Sequence, residues 1–197
     1  MNYFDALEKR RSIYTLKSSS RISDEKIEEL VGHCLLHTPT AFNSQNGRVV
    51  VLLKQDHHDL WEMIRAALKA MMSEKKFVKT SAKIDGFKAA YGTILFFEDM
   101  GVVKGLQDRF PLYAHNFPIW SSQAAGILQG NVWTSLAVEG LGASLQHYSQ
   151  LIEDQVKVKW GIAEDWKLLA QMPFGDIDGQ ASEKVFSDLD HRLIVFK

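Results

Sequence analysis

The chain of 197 residues has one cysteine, Cys34. A lone thiol excludes an internal disulfide and any cysteine-rich zinc cluster. Cys34 falls in an apolar helical segment, so a buried structural thiol is expected rather than a reactive one. Charge of one sign is also lacking. Lys and Arg number 23 against 24 Asp and Glu, a net charge of −1, which argues against nucleic acid or an anionic membrane as partner. No stretch is long and apolar enough to span a bilayer. The opening MNYFDALEKRRS carries charges where a secretory signal needs its apolar run. A cytoplasmic protein is therefore expected. There is no P-loop, no GxGxxG, no metal-ligand spacing and no nucleophile–base–acid set. No repeat or low-complexity linker divides the chain, so one domain over residues 1–197 is expected.

What is present is a core-forming composition, 46% apolar and 24% charged. The organising stretch is residues 117–148, FPIWSSQAAGILQGNVWTSLAVEGLGASLQHY. It runs without proline after Pro118 and is closed by Gly140 and Gly142, the length and punctuation of one long helix. Apolar residues occupy nearly every face, so this helix is buried in a core or against a partner. Gly126, Gly130 and Ser135 would let another backbone approach, which suggests a dimer seam.

Around it the pattern predicts further elements. Residues 3–11 read as a short helix. Ser23 or Asp24 caps a second helix with a stripe of Ile27, Leu30, Val31, Cys34 and Leu35, which stops before Pro39. Residues 38–46 are a polar loop, 48–54 a central strand and 60–72 a periodic helix. The lysine-rich residues 69–88 read as a solvated surface with a fraying helix. Residues 94–97 are a second central strand ended by Glu98-Asp99, and 101–109 a helix or lid-like turn. A strand over 143–147, a helix near 152–160 and a strand over 167–172 follow, the last closed by Pro173 and Gly175. Residues 174–190 read as loop and 193–196 as a short terminal strand. The sum is an α+β domain around four or five strands.

Candidate binding groups are scattered. Arg10, Arg11 and Ser12 end the first helix, and Lys184 and Arg192 lie near the C-terminus. Arginine meets phosphate through its planar fork and lysine as a point charge. Asn43 and Gln45 place two amides in one loop, suited to the edge of a heteroaromatic ring or to a turn.

In their order, RRSIYTL, TPTAFNSQNGRVVVL, KAAYGTILFFED, FPIW, GLGASLQHY and WKLLAQMPFG carry a resemblance. The sequence resembles the FMN-dependent nitroreductases over essentially its whole length, most closely the short subfamily first named for fatty-acid repression. The resemblance implies an α/β/α sandwich with a mostly antiparallel sheet of four strands. A C-terminal strand would be exchanged across an intimate homodimer, with two FMN molecules at the interface. It places Arg10, Arg11 and Ser12 on the flavin phosphate and pyrimidine edge. It places Thr38, Pro39 and Thr40 over the isoalloxazine of the other protomer. Asn43 and Gln45 would contact the polar edge and ribityl chain. Leu145, Gln146 and His147 would bring backbone to flavin N5 and O4, with His147 a candidate proton donor. Lys184 and Arg192 would hold phosphate.

One position departs. Many relatives carry Lys or Arg two residues after the motif serine, and here that position is Tyr14. The implied activity is an FMN oxidoreductase that takes hydride from NADH or NADPH. It would reduce nitroaromatic or quinone-type acceptors by a ping-pong mechanism. Tyr14 keeps open an FMN-binding regulatory or flavin-storage protein with little turnover. A cofactor-free dimeric interaction protein is the third class.

Overall fold

The structure, a computed structural model, describes residues 2–197. Four strands form one antiparallel sheet: β1 (Gly47–Leu53), β2 (Gly92–Asp99), β3 (Leu141–Ala143) and β4 (Trp166–Asp176), in the order β1-β2-β4-β3. Every residue of β2 is buried, the signature of a strand covered on both faces. Its alternate side chains feed two cores. Ile94 and Phe96 pack with Met172, Phe174, Leu128, Val132, Leu136, Ile27 and Val31. Leu95 and Phe97 pack with Leu168, Leu60, Trp61, Ile64, Ile84, Ile152 and Val156.

The first core lies under α2 (Asp24–His37) and α6 (Phe117–Val138), the second under α3 (Lys54–Met71), α4 (Glu74–Lys88) and α7 (Ser149–Trp160). Two further helices, α1 (Tyr3–Lys9) and α5 (Met100–Arg109), lie outside these cores. The result is the expected α/β/α sandwich. Ser23 caps α2, accepting from Lys26 N, and α2 ends at Thr38, just before Pro39. Pro118 sits in the first turn of α6, where its missing N–H costs nothing. Cys34 is buried, with Sγ 3.4 Å from Ser135 Oγ, and burial raises its thiol pKa.

Several boundaries differ from expectation. Residues 74–88 form a complete helix, because Ile84 and Phe87 bury one face of an otherwise lysine-rich segment. Residues 100–109 are helical, capped by the Asp99 side chain accepting from Val102 N at 3.0 Å. The strand expected over 143–147 ends at Ala143 and continues as extended chain with a single bridge, Gln146 to Gln171. Strand β4 runs through Pro173, whose carbonyl accepts from Ser144 N at 3.3 Å. Residues 193–196 join no strand of their own chain and are exposed; a strand needs an edge to pair with.

Candidate functional site

The N-terminal segment reaches the sheet at the outer edge of β3. Ser12 and Ala143 form a parallel bridge, Ile13 N donates to Ala143 O at 3.0 Å, and Leu16 bridges Ile177. Gly142 permits this approach, since a Cβ there would lie 2.7 Å from Leu16 Cδ2 and 3.1 Å from Ile13 Cβ. Past Ala143 the extended backbone alternates its amides. Ser144 N and Gln146 N donate to Pro173 O and Gln171 O at 3.3 and 2.7 Å. The Leu145 and His147 N–H groups therefore face the opposite side, and neither has a partner among the described residues. Two free backbone donors thus follow directly on the Ser12 bridge.

Gln146 is placed differently from its neighbours. Its side chain is buried and donates to Ser144 Oγ at 3.1 Å, and its backbone exchanges both hydrogen bonds with Gln171. Gln171 in turn accepts from Tyr148 N at 2.7 Å and donates to Ser149 Oγ at 2.9 Å. Gln146 therefore anchors the segment, while His147 is exposed.

The candidate cations have no carboxylate partners. Among the described residues Arg10, Arg11, Lys184 and Arg192 take part in no ion pair, although many other basic side chains do. Arg10 lies 4.5 Å from the centre of the Trp133 ring, a cation–π distance. It lines a groove of about 600 Å³ with His33, His37, Gly130 and Asn131. Arg11 Nη2 donates to Ser182 O at 2.5 Å, which draws the C-terminal segment to the N-terminal motif. Lys184 Nζ rests 5.0 Å from the Phe186 ring. Arg192 lies on the exposed terminal segment. Trp133 Nε1 is the one buried side-chain nitrogen or oxygen without a partner among the described residues. Tyr14 is 55% exposed on the segment between the two bridges.

The second set lies at the other sheet edge, where a loop feeds β1. Thr38 Oγ1 donates to Cys34 O at 2.7 Å and accepts from Asn131 Nδ2 at 3.0 Å. Thr40 Oγ1 accepts from Gln45 N at 3.0 Å. Phe42, Asn43 and Gln45 have φ of 57, 50 and 49°. Left-handed backbone costs a non-glycine residue of order 1 kcal/mol, so surrounding contacts must hold this loop. Within one chain the structure brings Arg11, Ser12, Leu145 and His147 to the β3 edge and Asn43 and Gln45 to the loop that feeds β1, while Thr38 reaches Asn131, which lines the groove of Arg10.

Phe42 was not legible as a site residue. It is 54% exposed, with its ring 4.9 Å from Phe110, 5.5 Å from Phe117 and 6.4 Å from Trp120. With Pro39, Thr40, Trp120 and Ile127 it lines a cavity of about 430 Å³. The signal was the run Phe110, Tyr113, Phe117, Trp120, aromatics three or four residues apart. Among the described residues no helix is long and apolar enough to cross a membrane. Within the same set no group of three His, Cys, Asp or Glu could hold a metal.

Known proteins share this framework. The nitroreductase FRM2 of Saccharomyces cerevisiae is 33% identical over 187 residues, 94% of this chain and 93% of that protein. The nitroreductase CinD of Lactococcus lactis, solved with chloramphenicol and with 4-nitrophenol, is 48% identical and superposes with a TM-score of 0.90 over all of both chains. A Desulfovibrio desulfuricans protein solved in complex with FMN shares the fold at a TM-score of 0.72, with 18% identity over 100% of this chain and 98% of that one. The model of the nitroreductase family matches residues 7–176; this chain belongs to the nitroreductase family.

Proposed function

We propose that the protein is a homodimeric FMN oxidoreductase, one domain over residues 1–197. It takes hydride from NADH or NADPH and reduces nitroaromatic or quinone-type acceptors. The observation that carries this reading is the open edge at Leu145 and His147, set beside Arg10–Ser12 by the Ser12–Ala143 bridge. The residues present fit a flavin mononucleotide. Cations without carboxylate partners suit one terminal phosphate, and no adenine-binding GxGxxG is present. When bound, FMN would supply the hydride and electron chemistry for both half-reactions.

The chain supplies binding and orientation. Arg10, Arg11, Lys184 and Arg192 would neutralise phosphate, and the Ser12 hydroxyl would add a hydrogen bond. The Leu145 and His147 amides would donate to the polar edge of the ring, with Gln146 fixing their direction through Gln171. Thr38, Pro39, Thr40, Asn43 and Gln45 would come from the other protomer. His147, exposed beside the free amides, would pass a proton from water.

The dimer reading rests on exposed apolar surface. Ile119, Ile127 and Val138 of α6 and Val185, Phe186, Leu189 and 193–196 of the terminal segment are exposed in one chain. Exposed apolar side chains of this number support an interface with a second copy. The aromatic surface around Phe42 offers a stacking platform for a nitroaromatic ring, the ligand class of CinD.

Tyr14, in place of a cation, favours a second reading: an FMN-binding regulatory or storage protein. The absorption spectrum of the purified protein, followed by anaerobic titration with NADH and NADPH, tests both. Bleaching of a yellow flavin and its return on adding 4-nitrophenol is expected. Bound flavin that neither nicotinamide bleaches would select the second reading, and a colourless protein that takes up no FMN would sink both.

A further inference from the structure

The strained loop before β1 is held from beneath by a directional hydrogen-bond chain. Ser44 Oγ donates to Asn46 Oδ1 at 3.0 Å. Asn46 Nδ2 donates to Ser121 Oγ of α6 at 2.5 Å, and Ser121 Oγ donates to Glu98 Oε1 of β2 at 2.7 Å. Asn46, Ser121 and Glu98 are 2, 6 and 4% exposed. The backbone ties the same point down, with Asp99 N donating to Asn46 O at 2.9 Å. The chain therefore joins the loop to the central sheet and to the long helix.

Its composition is not what packing alone would select. A buried amide, hydroxyl and carboxyl each lose hydration and regain it only through these bonds. The adjacent cation does not serve Glu98: Arg48 Nη2 pairs with Asp99 Oδ2 at 2.7 Å, and Arg48 Nη1 donates to the carbonyls of Gln45 and Gly47 at 2.7 and 2.9 Å. Every donor in the chain points one way, toward the carboxyl oxygen, so each bond polarises the next. Asn46 is thereby fixed in rotamer and depth. It directly follows the Phe42, Asn43 and Gln45 residues at positive φ.

We propose that Glu98, acting through Ser121 and Asn46, is a positioning residue that locks the loop 40–45, with Phe42, Asn43 and Gln45 held at positive φ, and so presents Asn43 and Gln45 to the flavin. The consequence for flavin rests on the proposed function; the lock itself does not.

Three variants test it: Glu98→Met, which keeps length but has no acceptor, Glu98→Gln, which restores an acceptor oxygen, and Ser121→Ala, a small truncation that serves if Glu98→Met does not fold. Amide hydrogen exchange over residues 41–47 is measured in the flavin-free protein. FMN affinity is measured separately by flavin fluorescence. Glu98→Met and Ser121→Ala are expected to exchange at least tenfold faster over 41–47 and to bind FMN at least tenfold more weakly. Glu98→Gln is expected to return both to within threefold of wild type. Unchanged protection in Ser121→Ala overturns the lock, as does a Glu98→Gln protein impaired as far as Glu98→Met. Faster exchange with unchanged FMN affinity overturns the presentation of Asn43 and Gln45 to flavin. A wild-type protein that binds no FMN is instead the failure of the proposed function, and the exchange data then judge the lock alone.

Discussion

Ser12 and Ala143 are joined by a parallel bridge at the edge of an otherwise antiparallel sheet. The bridge converts residues 131 positions apart (143 − 12) into neighbours. Cations carried by the end of α1 thus arrive where the β3 edge leaves two amides free.

From that juxtaposition, Arg10→Ala should weaken FMN binding by about 1.5–3 kcal/mol, the value of a charge-assisted hydrogen bond. Because Arg10 also stacks on Trp133, Arg10→Lys is the control: it keeps charge but loses the planar fork, and should fall between. Isothermal calorimetry gives the comparison. Equal affinities in all three proteins would remove Arg10 from the site, and recovery of FAD from the native protein would remove FMN.

Gly130→Arg should abolish the dimer and release flavin together. A Cβ at Gly130 meets nothing within 4 Å in the chain itself, where the groove beside α1 and α2 is open. Arginine also favours helix over glycine by up to about 1 kcal/mol. Damage to the isolated chain is thus not expected, and loss of association reports a partner at that face. Multi-angle light scattering on the wild type and variant is the measurement; a flavin-loaded monomer in either contradicts the seam.

Stability should fall with acid through His57. Its ring is fully buried. Lys88 O can only accept, so in the neutral ring Nδ1 is bare and accepts from the Thr93 hydroxyl at 2.8 Å, whose Oγ1 in turn accepts from Trp61 Nε1 at 3.0 Å. The ring proton then sits on Nε2 and points at Lys88 O, 3.1 Å away. Burial lowers the pKa from 6.5 to about 4. The unfolded chain therefore takes a proton near pH 6.5 that the native state refuses until about pH 4. Stability from this group is complete above pH 6.5 and drains away as pH falls between those values, by roughly 3 kcal/mol in all. Urea unfolding at pH 7 and pH 4.5 should show the drop, and His57→Gln should flatten it. An unaltered pH slope in the variant would clear His57.

Much of this architecture was legible in the sequence, and the misses share a cause. The apolar run 94–97 marked β2, and Ser23 and Pro39 bracketed α2, because those signals are local. Helix α4 was obscured by lysines that mask Ile84 and Phe87. The end of β3 depends on where Ser12 pairs, and the role of Gly142 depends on Leu16 and Ile13. Within the site, the motif residues stood out by type and order, whereas Phe42 needed its left-handed backbone and aromatic neighbours to be noticed. Asn46, Ser121 and Glu98 looked like a loop residue, a helix residue and a strand end. Only folding across 75 and 23 residues makes them one chain of hydrogen bonds.

Tyr14 offers a test of how the protein tunes a flavin. It lies between the bridges at Ser12 and Leu16, on the segment that follows Arg10 and Arg11, and is exposed. Reduced flavin is anionic near neutral pH, so a cation beside its pyrimidine edge favours reduction. At an effective dielectric of about 20, two charges ~4 Å apart attract by roughly 4 kcal/mol. At a position 55% exposed, solvent screens most of that. A realised gain of ~1.4 kcal/mol corresponds to about 30 mV in a two-electron potential. Tyr14→Lys should therefore raise the midpoint potential by tens of millivolts at most, speed reduction by the nicotinamide and slow reoxidation by weak acceptors. Potentiometry and anaerobic stopped-flow on the two proteins read these changes. Raising the ionic strength should shrink the difference, since an exposed charge is screened. If the potential is unchanged while flavin affinity and visible spectrum are preserved, Arg10 or the free amides at Leu145 and His147 already supply the stabilisation, and the phenol at position 14 is neutral.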